Sequence, residues 1–245
     1  MQNESGAAAL KPETRALLLK VGVAVLTNGL LKRGLRNQFL HGVKPVAPAM
    51  LPMAGPAFTL RFIPAREDID TLAALGRPDN IQRRALEACP PGCVLVIDTG
   101  NNLRSASAGD LMIRRLKVRG CAGIVTDGGF RDIAGVIKVG LPAYQRQSSP
   151  PATPIGLHSA DFNVPIGCAG VPVYPADVVV GDNDGVVVLP ASLVDELAKE
   201  ALETATYDEF AEQMITAGRS IMEIFPPGKD VLREYDEWKK SRGSM

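Results

Sequence analysis

Cys93-Val94-Leu95-Val96-Ile97-Asp98 is a continuous apolar run closed by an acid, and Gly123-Ile124-Val125-Thr126-Asp127 repeats the pattern further along the chain. Runs of this kind, with no polar alternation, belong to strands covered on both faces. Between them 110–119 reads as a helix: Ser107 can cap it, Asp110 opens its first turn and Gly120 ends it. Strand, helix, strand in this order is a parallel crossover unit, since a connection of that length is what returns a chain parallel to itself in one sheet. The fold class is α/β.

Working outward, Pro90-Pro91-Gly92 stops a helix over 79–89, and 57–63 reads as a strand before it. Pro12-Glu13 with Leu17, Leu18 and Val21 opens an earlier helix, and Thr27 or Asn28 can cap a second short one ending at Gly34. On the other side, short β-rich runs at 171–174, 177–180 and 185–189 are separated by Pro, Gly and Asn-Asp turns, which predicts a meander or small barrel-like sheet over 164–190. Leu193, Val194, Leu197, Ala201 and Leu202 then fall at helical spacing, and a charged ending around Pro226-Pro227 and 230–240 is expected to pack on the body or on a neighbour. No linker, charge block or repeat marks a boundary. The reading is one domain over 1–245, with a core at about 55–190, a helical N-terminal segment at 1–54 and a helical C-terminal extension at 191–245.

The 245 residues are 46% hydrophobic, which excludes disorder and collagen. Lys and Arg total 27 against 27 for Asp and Glu, so no global positive field gathers nucleic acid or anionic lipid. Cys89, Cys93, Cys121 and Cys168 have neither CxxC spacing nor the density of a secreted framework. Reduced, buried thiols and a cytoplasmic location are expected. The first ten residues carry Glu4 and no leader pattern, and the apolar stretch 16–31 is interrupted by Lys20, Asn28 and two glycines, so no membrane span is predicted.

His41 and His158 lie in no GxSxG-like setting, and neither a GxGxxG nor a Gly-Lys-Ser/Thr phosphate loop is present. The informative segments are Gly109-Asp110-Leu111-Met112 and Asp127-Gly128-Gly129-Phe130-Arg131-Asp132, each placed where a strand's carboxyl end meets a helix's amino end. Ligands collect there. The backbone N–H groups of Leu111 and Met112 suit a substrate carboxylate, Gly128 and Gly129 are expected to let it approach the backbone, and Arg131 adds a permanent charged fork. Asp132 and Asp110 offer the hard oxygens that Mg²⁺ accepts. The same residues also read more plainly, as a first-turn acid favoured by the helix dipole and a solvated Arg–Asp pair.

Together with Gly55-Pro56-Ala57-Phe58-Thr59, Asp79-Asn80, Arg119-Gly120 and the stretch from Pro175-Ala176-Asp177 through Gly181-Asp182-Asn183-Asp184-Gly185-Val186-Val187-Val188-Leu189-Pro190, these segments resemble the regulator of ribonuclease activity A family. That family includes divalent-metal-dependent 4-hydroxy-4-methyl-2-oxoglutarate/4-carboxy-4-hydroxy-2-oxoadipate aldolases. The resemblance implies a swivelling β/β/α fold, assembled as a homotrimer or homohexamer with a site between subunits. It implies that Asp132 holds Mg²⁺ or Mn²⁺, that Asp110 contacts the metal through water and that Arg131 contacts the substrate's oxo oxygen. Gly109, Leu111 and Met112 then correspond to the pyruvate-carboxylate cradle and Asn80 to a side chain lining it. A Glu from a neighbour's C-terminal helix completes the site in some members, with Glu209 the match here and Glu212 next to it. The implied activity is retro-aldol cleavage of a 2-oxo acid to pyruvate, with oxaloacetate decarboxylation by the same enolate. The alternatives are a non-catalytic regulator of a ribonuclease assembly and an enzyme of 2-oxo sugar acids. Two departures stand out: Asn28-Gly29 where many members have Asp-Ala, and Pro175-Ala176-Asp177 where they have Pro-Gly-Asp.

Overall fold

The computed structural model describes residues 10–48 and 50–243, so Glu4 and the rest of 1–9, on which the expectation of no leader rests, lie outside the described residues. The described chain opens with helices α1 (Pro12–Val21) and α2 (Val23–Lys32), strand β1 (Lys44–Pro45) and the long strand β2 (Met53–Pro64). Then come α3 (Ile81–Ala88), β3 (Val94–Asp98), β4 (Ala106–Ala108), α4 (Asp110–Val118), β5 (Gly123–Thr126) and β6 (Gly129–Phe130). They are followed by α5 (Ile133–Val139), β7 (Ala143–Gln145), β8 (Gln147–Ser148) and β9 (Leu157–Phe162). A hairpin of β10 (Val178–Asp182) and β11 (Gly185–Leu189) leads into α6 (Val194–Thr216), α7 (Ile221–Ile224) and α8 (Lys229–Gly243).

The main sheet runs β1-β7-β5-β3-β2-β10-β11, with β9 also on β2. Strands β2, β3, β5 and β7 are parallel neighbours, as the crossover reading requires. The apolar runs are continuous because each strand divides its side chains between two cores. Leu95, Ile97 and Ile124 face helices α3 to α5, while Val94, Val96 and Val125 face the inside of the curled sheet. On β10 and β11 the same alternation sends Val179, Val186 and Val188 inward, and Val178, Val180, Val187 and Leu189 outward against α1, α2 and α6.

The expected barrel-like sheet is present, but its closure comes from elsewhere in the chain. Leu40 N–H bonds to the Val186 carbonyl and Val188 N–H to the Gln38 carbonyl, each at 2.9 Å, while Lys44 and Pro45 pair with β7. Residues 38–45 thus clasp the two ends of the sheet. The run 171–174 contributes a single bridge, Val173 to Ile166, and no strand. Tyr144 is wholly buried inside the barrel against Gly181, where a Cβ would lie 2.9 Å from its ring. Burial pushes its phenol above the ordinary tyrosine range.

Two expected caps are corrected. Helix α2 starts at Val23, not Thr27 or Asn28, because the Asp182 carboxylate from the β-hairpin accepts its N–H at 2.7 Å. Ser107 does not cap α4; it is buried in β4 with its Oγ 3.1 Å from both Thr126 Oγ1 and the Gly129 carbonyl, and Gly109 takes the cap position. Among the described residues no single helix is long and apolar enough to cross a membrane. The α1–α2 pair bends by 103° and buries Leu18, Val21, Val23, Leu26 and Leu30 in the core.

Helix α6 lies on the body through Val194, Leu197, Ala198 and Ala201. Gly29 allows that approach, since a Cβ there would meet Leu197 Cδ2 at 2.9 Å. The far half of α6 has a core of its own: Phe210 and Ala211 with Ile224, Val231 and Tyr235, flanked by Tyr207 and Trp238. The charged ending therefore folds back on α6, its apolar side chains hidden among charged ones at helical spacing.

The Pro-Ala-Asp departure carries a backbone cost, because Ala176 sits at φ 76°, a conformation natural to glycine. Its N–H and the Asp177 carbonyl still pair with Ala57 at 3.0 and 2.6 Å. Ala176→Gly is therefore expected to stabilise the chain by about 1 kcal/mol, raising Tm by roughly 2–4 °C in a thermal melt.

Candidate active site

A second, smaller sheet builds the site. Strands β4, β6 and β8 are parallel, and Gly109-Asp110 and Arg131-Asp132 follow directly on the carboxyl ends of β4 and β6. Arg131 N–H donates to the Ala108 carbonyl at 3.1 Å, which fixes the two strand ends side by side. Buried Gln145 supports them from behind, its Oε1 accepting from Phe130 N–H at 2.6 Å. The two strand ends open onto a cleft of about 270 Å³ lined by Gly109, Asp110, Leu111, Met112, Arg131 and Asp132, with Arg83, Leu75, Ala152 and Thr153 on its other walls.

Asp132 has left-handed backbone, φ 58° and ψ 43°, at the first position before α5. It makes no capping bond to that helix; its Oδ2 accepts from Arg131 Nε at 3.1 Å and lies where a Cβ on Gly109 would come within 3.0 Å. Left-handed backbone costs a non-glycine residue about 1–2 kcal/mol, and Asp or Asn somewhat less. The Arg131–Asp132 pair, with the side chains 44% and 47% exposed, returns about 0–1 kcal/mol. The arrangement does not stabilise the fold, which is the pattern of a geometry kept for a ligand. The Asp110 carboxylate has no hydrogen-bond partner among the described residues and rests on Gly135 of α5, where a Cβ would lie 2.5 Å from Oδ2.

The glycines of the motif do something other than expected. Gly128 and Gly129 are buried: a Cβ at 128 would meet Thr99 at 2.8 Å and one at 129 the Gln147 carbonyl at 2.4 Å. They let strands and loops pack behind the site, and the close approach on the cleft side belongs to Gly109 and Gly135. Asp127 likewise serves the scaffold. It is fully buried, with Oδ1 accepting from Thr99 N–H and Oγ1 at 2.7 Å each and Oδ2 from Asn101 and Ala169 N–H at 3.1 and 3.2 Å.

Asn80 lines not the cleft but an adjoining recess that shares Leu75 and Thr153 with it. Its Oδ1 accepts from Arg83 N–H at 3.0 Å and so caps α3. Arg83 itself escaped the sequence reading, since nothing in a helical Arg-Arg pair tells which arginine faces a cleft. Glu209 is held by Arg242 at 2.5 Å in the C-terminal helices, Glu212 is exposed beside it, and neither lines the cleft of its own chain. His158 bonds to Asp70 at 2.7 Å and His41 packs on Phe39, both away from the cleft.

Among the described residues no three His, Cys, Asp or Glu side chains form a metal-ligand cluster. What one chain offers is two carboxylates, Asp110 and Asp132, on one cleft. That donor set fits Mg²⁺ or Mn²⁺, hard ions content with one or two carboxylates and water, and lacks the His or Cys that zinc sites carry among their ligands.

Residues 23–188 match the RraA-like family, described as Aldolase/RraA. A Halalkalibacterium halodurans protein named "Putative 4-hydroxy-4-methyl-2-oxoglutarate aldolase" is 35% identical over 167 residues, covering 67% of this chain and 72% of that one. The crystal structure of RraAS2 from Streptomyces coelicolor, described as an unusual member of the RNase ES inhibitor RraA protein family, superposes with a TM-score of 0.74 at 31% identity, over 83% of this chain and 97% of that one. A Pseudomonas syringae pv. tomato protein shares the fold at TM-score 0.78 and 22% identity, over 89% of this chain and 95% of its own.

The two aspartates of the motif should separate cleanly in a mutational test. Asp127→Ala removes an acceptor that four donors share, leaving the buried Thr99 N–H unpaired, and is expected to cost about 3 kcal/mol. Asp132→Ala should cost no more than about 1 kcal/mol, since it removes one half-exposed ion pair and leaves the left-handed backbone in place, read by differential scanning calorimetry.

Proposed function

The chain belongs to the RraA-like family, and from that premise we propose that it is a divalent-metal-dependent carbon–carbon lyase of 2-oxo acids, cleaving 4-hydroxy-4-methyl-2-oxoglutarate-type substrates to pyruvate. The observation that carries this reading is the convergence of Asp110, Arg131 and strained Asp132 on one cleft at the amino end of α4.

Helix α4 has no side-chain cap, so the N–H groups of Leu111 and Met112 are available to the substrate's C1 carboxylate. With that end fixed, the 2-oxo oxygen falls to Arg131. Asp132 and Asp110 would hold Mg²⁺ or Mn²⁺, which when bound supplies Lewis acidity toward the 2-oxo group. As the C3–C4 bond breaks, its electron pair passes to C3, the 4-hydroxyl loses its proton and C4 becomes a carbonyl. Arg131 stabilises the negative charge growing on the enolate oxygen. Asp110, uncommitted within the protein, takes the hydroxyl proton by way of water, and protonation of the enolate carbon gives pyruvate. Loss of CO₂ from oxaloacetate generates the same enolate, so decarboxylation needs no further residue.

The rim of the cleft includes exposed Leu111. A trimer or hexamer that covers this rim and brings a neighbour's Glu209 or Glu212 to the metal is part of the proposal. The compartment it assigns is the cytoplasm, where four unpaired buried thiols are at home. A second reading, a regulator that binds a ribonuclease assembly, is favoured by the likeness to RraAS2.

Steady-state kinetics decide between them. Arg131→Ala is expected to lower kcat by about 100-fold or more on 4-hydroxy-4-methyl-2-oxoglutarate and on oxaloacetate, and Asp132→Ala by more, with circular dichroism unchanged. Pyruvate release should stop after thorough chelation and return with Mg²⁺ or Mn²⁺; release that survives chelation rules out the mechanism. Light scattering at micromolar concentration should give a trimer or hexamer mass. A folded protein that turns over none of these substrates, nor a panel of 2-oxo sugar acids, leaves the regulator reading in place.

A further inference from the structure

Helix α3 carries two consecutive arginines that the fold uses differently. Arg84 lies over the Phe162 ring, 5.7 Å from its centroid, whereas Arg83 lines the same cleft as Arg131 and Asp132. Several other arginines hold acids: Arg66 binds Asp68 at 2.7 Å, Arg77 binds Asp79 at 2.9 Å, and Arg115 and Arg119 share Glu87. Arg83 has no acidic partner among the described residues. Asn80 caps α3 through the Arg83 backbone N–H, and the Arg83 side chain lies exposed on the cleft wall.

The cleft therefore holds two guanidinium groups on different elements. Arg131 is tied to Asp132 beside the amino end of α4, and Arg83 stands on α3 with its charge unanswered. A ligand with one anionic end satisfies the first position and leaves the second cation alone. A ligand with an anion at each end satisfies both. We propose that Arg83 is an anion subsite that takes the distal carboxylate of a 2-oxo diacid, making the site selective for 2-oxo dicarboxylates over 2-oxo acids with a neutral far end. The orientation rests on the preceding reading, in which C1 lies at α4 and the oxo oxygen at Arg131. The guanidinium fork suits a carboxylate through two parallel N–H bonds, and a charge-assisted contact of this kind corresponds to roughly 10- to 100-fold in affinity.

The test is calorimetric titration of the full chain, in buffer containing Mg²⁺, with 2-oxoglutarate and with 2-oxopentanoate. The two ligands share a five-carbon skeleton and the 2-oxo acid end, and differ in a terminal carboxylate against a methyl group. The parent should prefer 2-oxoglutarate by about 10-fold or more, and Arg83→Gln should bring the ratio of the two affinities close to one. Arg83→Lys should keep part of the preference, because a point charge remains without the fork. A parent ratio near one, an unchanged ratio in Arg83→Gln, or binding of neither ligand overturns the subsite. Absence of turnover of 4-hydroxy-4-methyl-2-oxoglutarate with the binding ratio intact overturns the lyase reading and leaves the subsite standing.

Discussion

Strand β2 is buried along 53–60, and each backbone group there needs a partner that water cannot supply. One strand meets that demand by changing neighbours along its length. Its first residues pair antiparallel with β10, residues 57–61 pair parallel with β3, and the last pair antiparallel with β9. A strand shared in this way ties the α/β crossover to the C-terminal hairpin and leaves the sheet no choice but to curl. The fit is tight enough that Gly55 tolerates no Cβ, which would come 2.3 Å from the Gly92 carbonyl. The curl in turn brings the edge strands within reach of 38–45, and the carboxyl ends of β4 and β6 to one cleft.

The segments whose periodicity is local were legible in the sequence. The runs at 93–98 and 123–126 announced doubly covered strands, and Pro12 and Pro190 marked the starts of helical stretches, because these signals depend on a residue and its near neighbours. Closure by 38–45 was not legible, since two- and three-residue pairings leave no alternation to detect. The cap of α2 was missed for the same reason: its acceptor, Asp182, lies far away in the sequence, and a local rule selects the nearest Thr or Asn.

The candidate site was legible in which residues share a cleft and misread in its backbone. Asp110, Arg131 and Asp132 meet in one cleft as the spacing suggested, because each directly follows a strand end. Sequence gave no means of seeing that strand β6 intervenes between Asp127 and Arg131, which turns Gly128 and Gly129 inward. Nor could it rank the two acids of the motif. Asp127 accepts four hydrogen bonds in the interior, whereas Asp132 is half exposed on strained backbone with one partner. Burial and satisfaction, which a linear pattern does not carry, distinguish a scaffold carboxylate from one held ready for a ligand.

The electrostatic balance of the cleft follows from that distinction. Two carboxylates and two guanidiniums line it, so protein charge alone sums to zero, and a bare site has no preference for an anion. A divalent cation held by Asp110 and Asp132, as proposed, would change the sum to plus two, the complement of a 2-oxo diacid with both carboxylates ionised. Metal and substrate are then linked: binding of the cation raises affinity for a dianion, and by thermodynamic reciprocity the dianion raises affinity for the cation. On the proposed reading, the charge pattern on these four side chains couples the two ligands, so that cation and dianion each favour the other's binding.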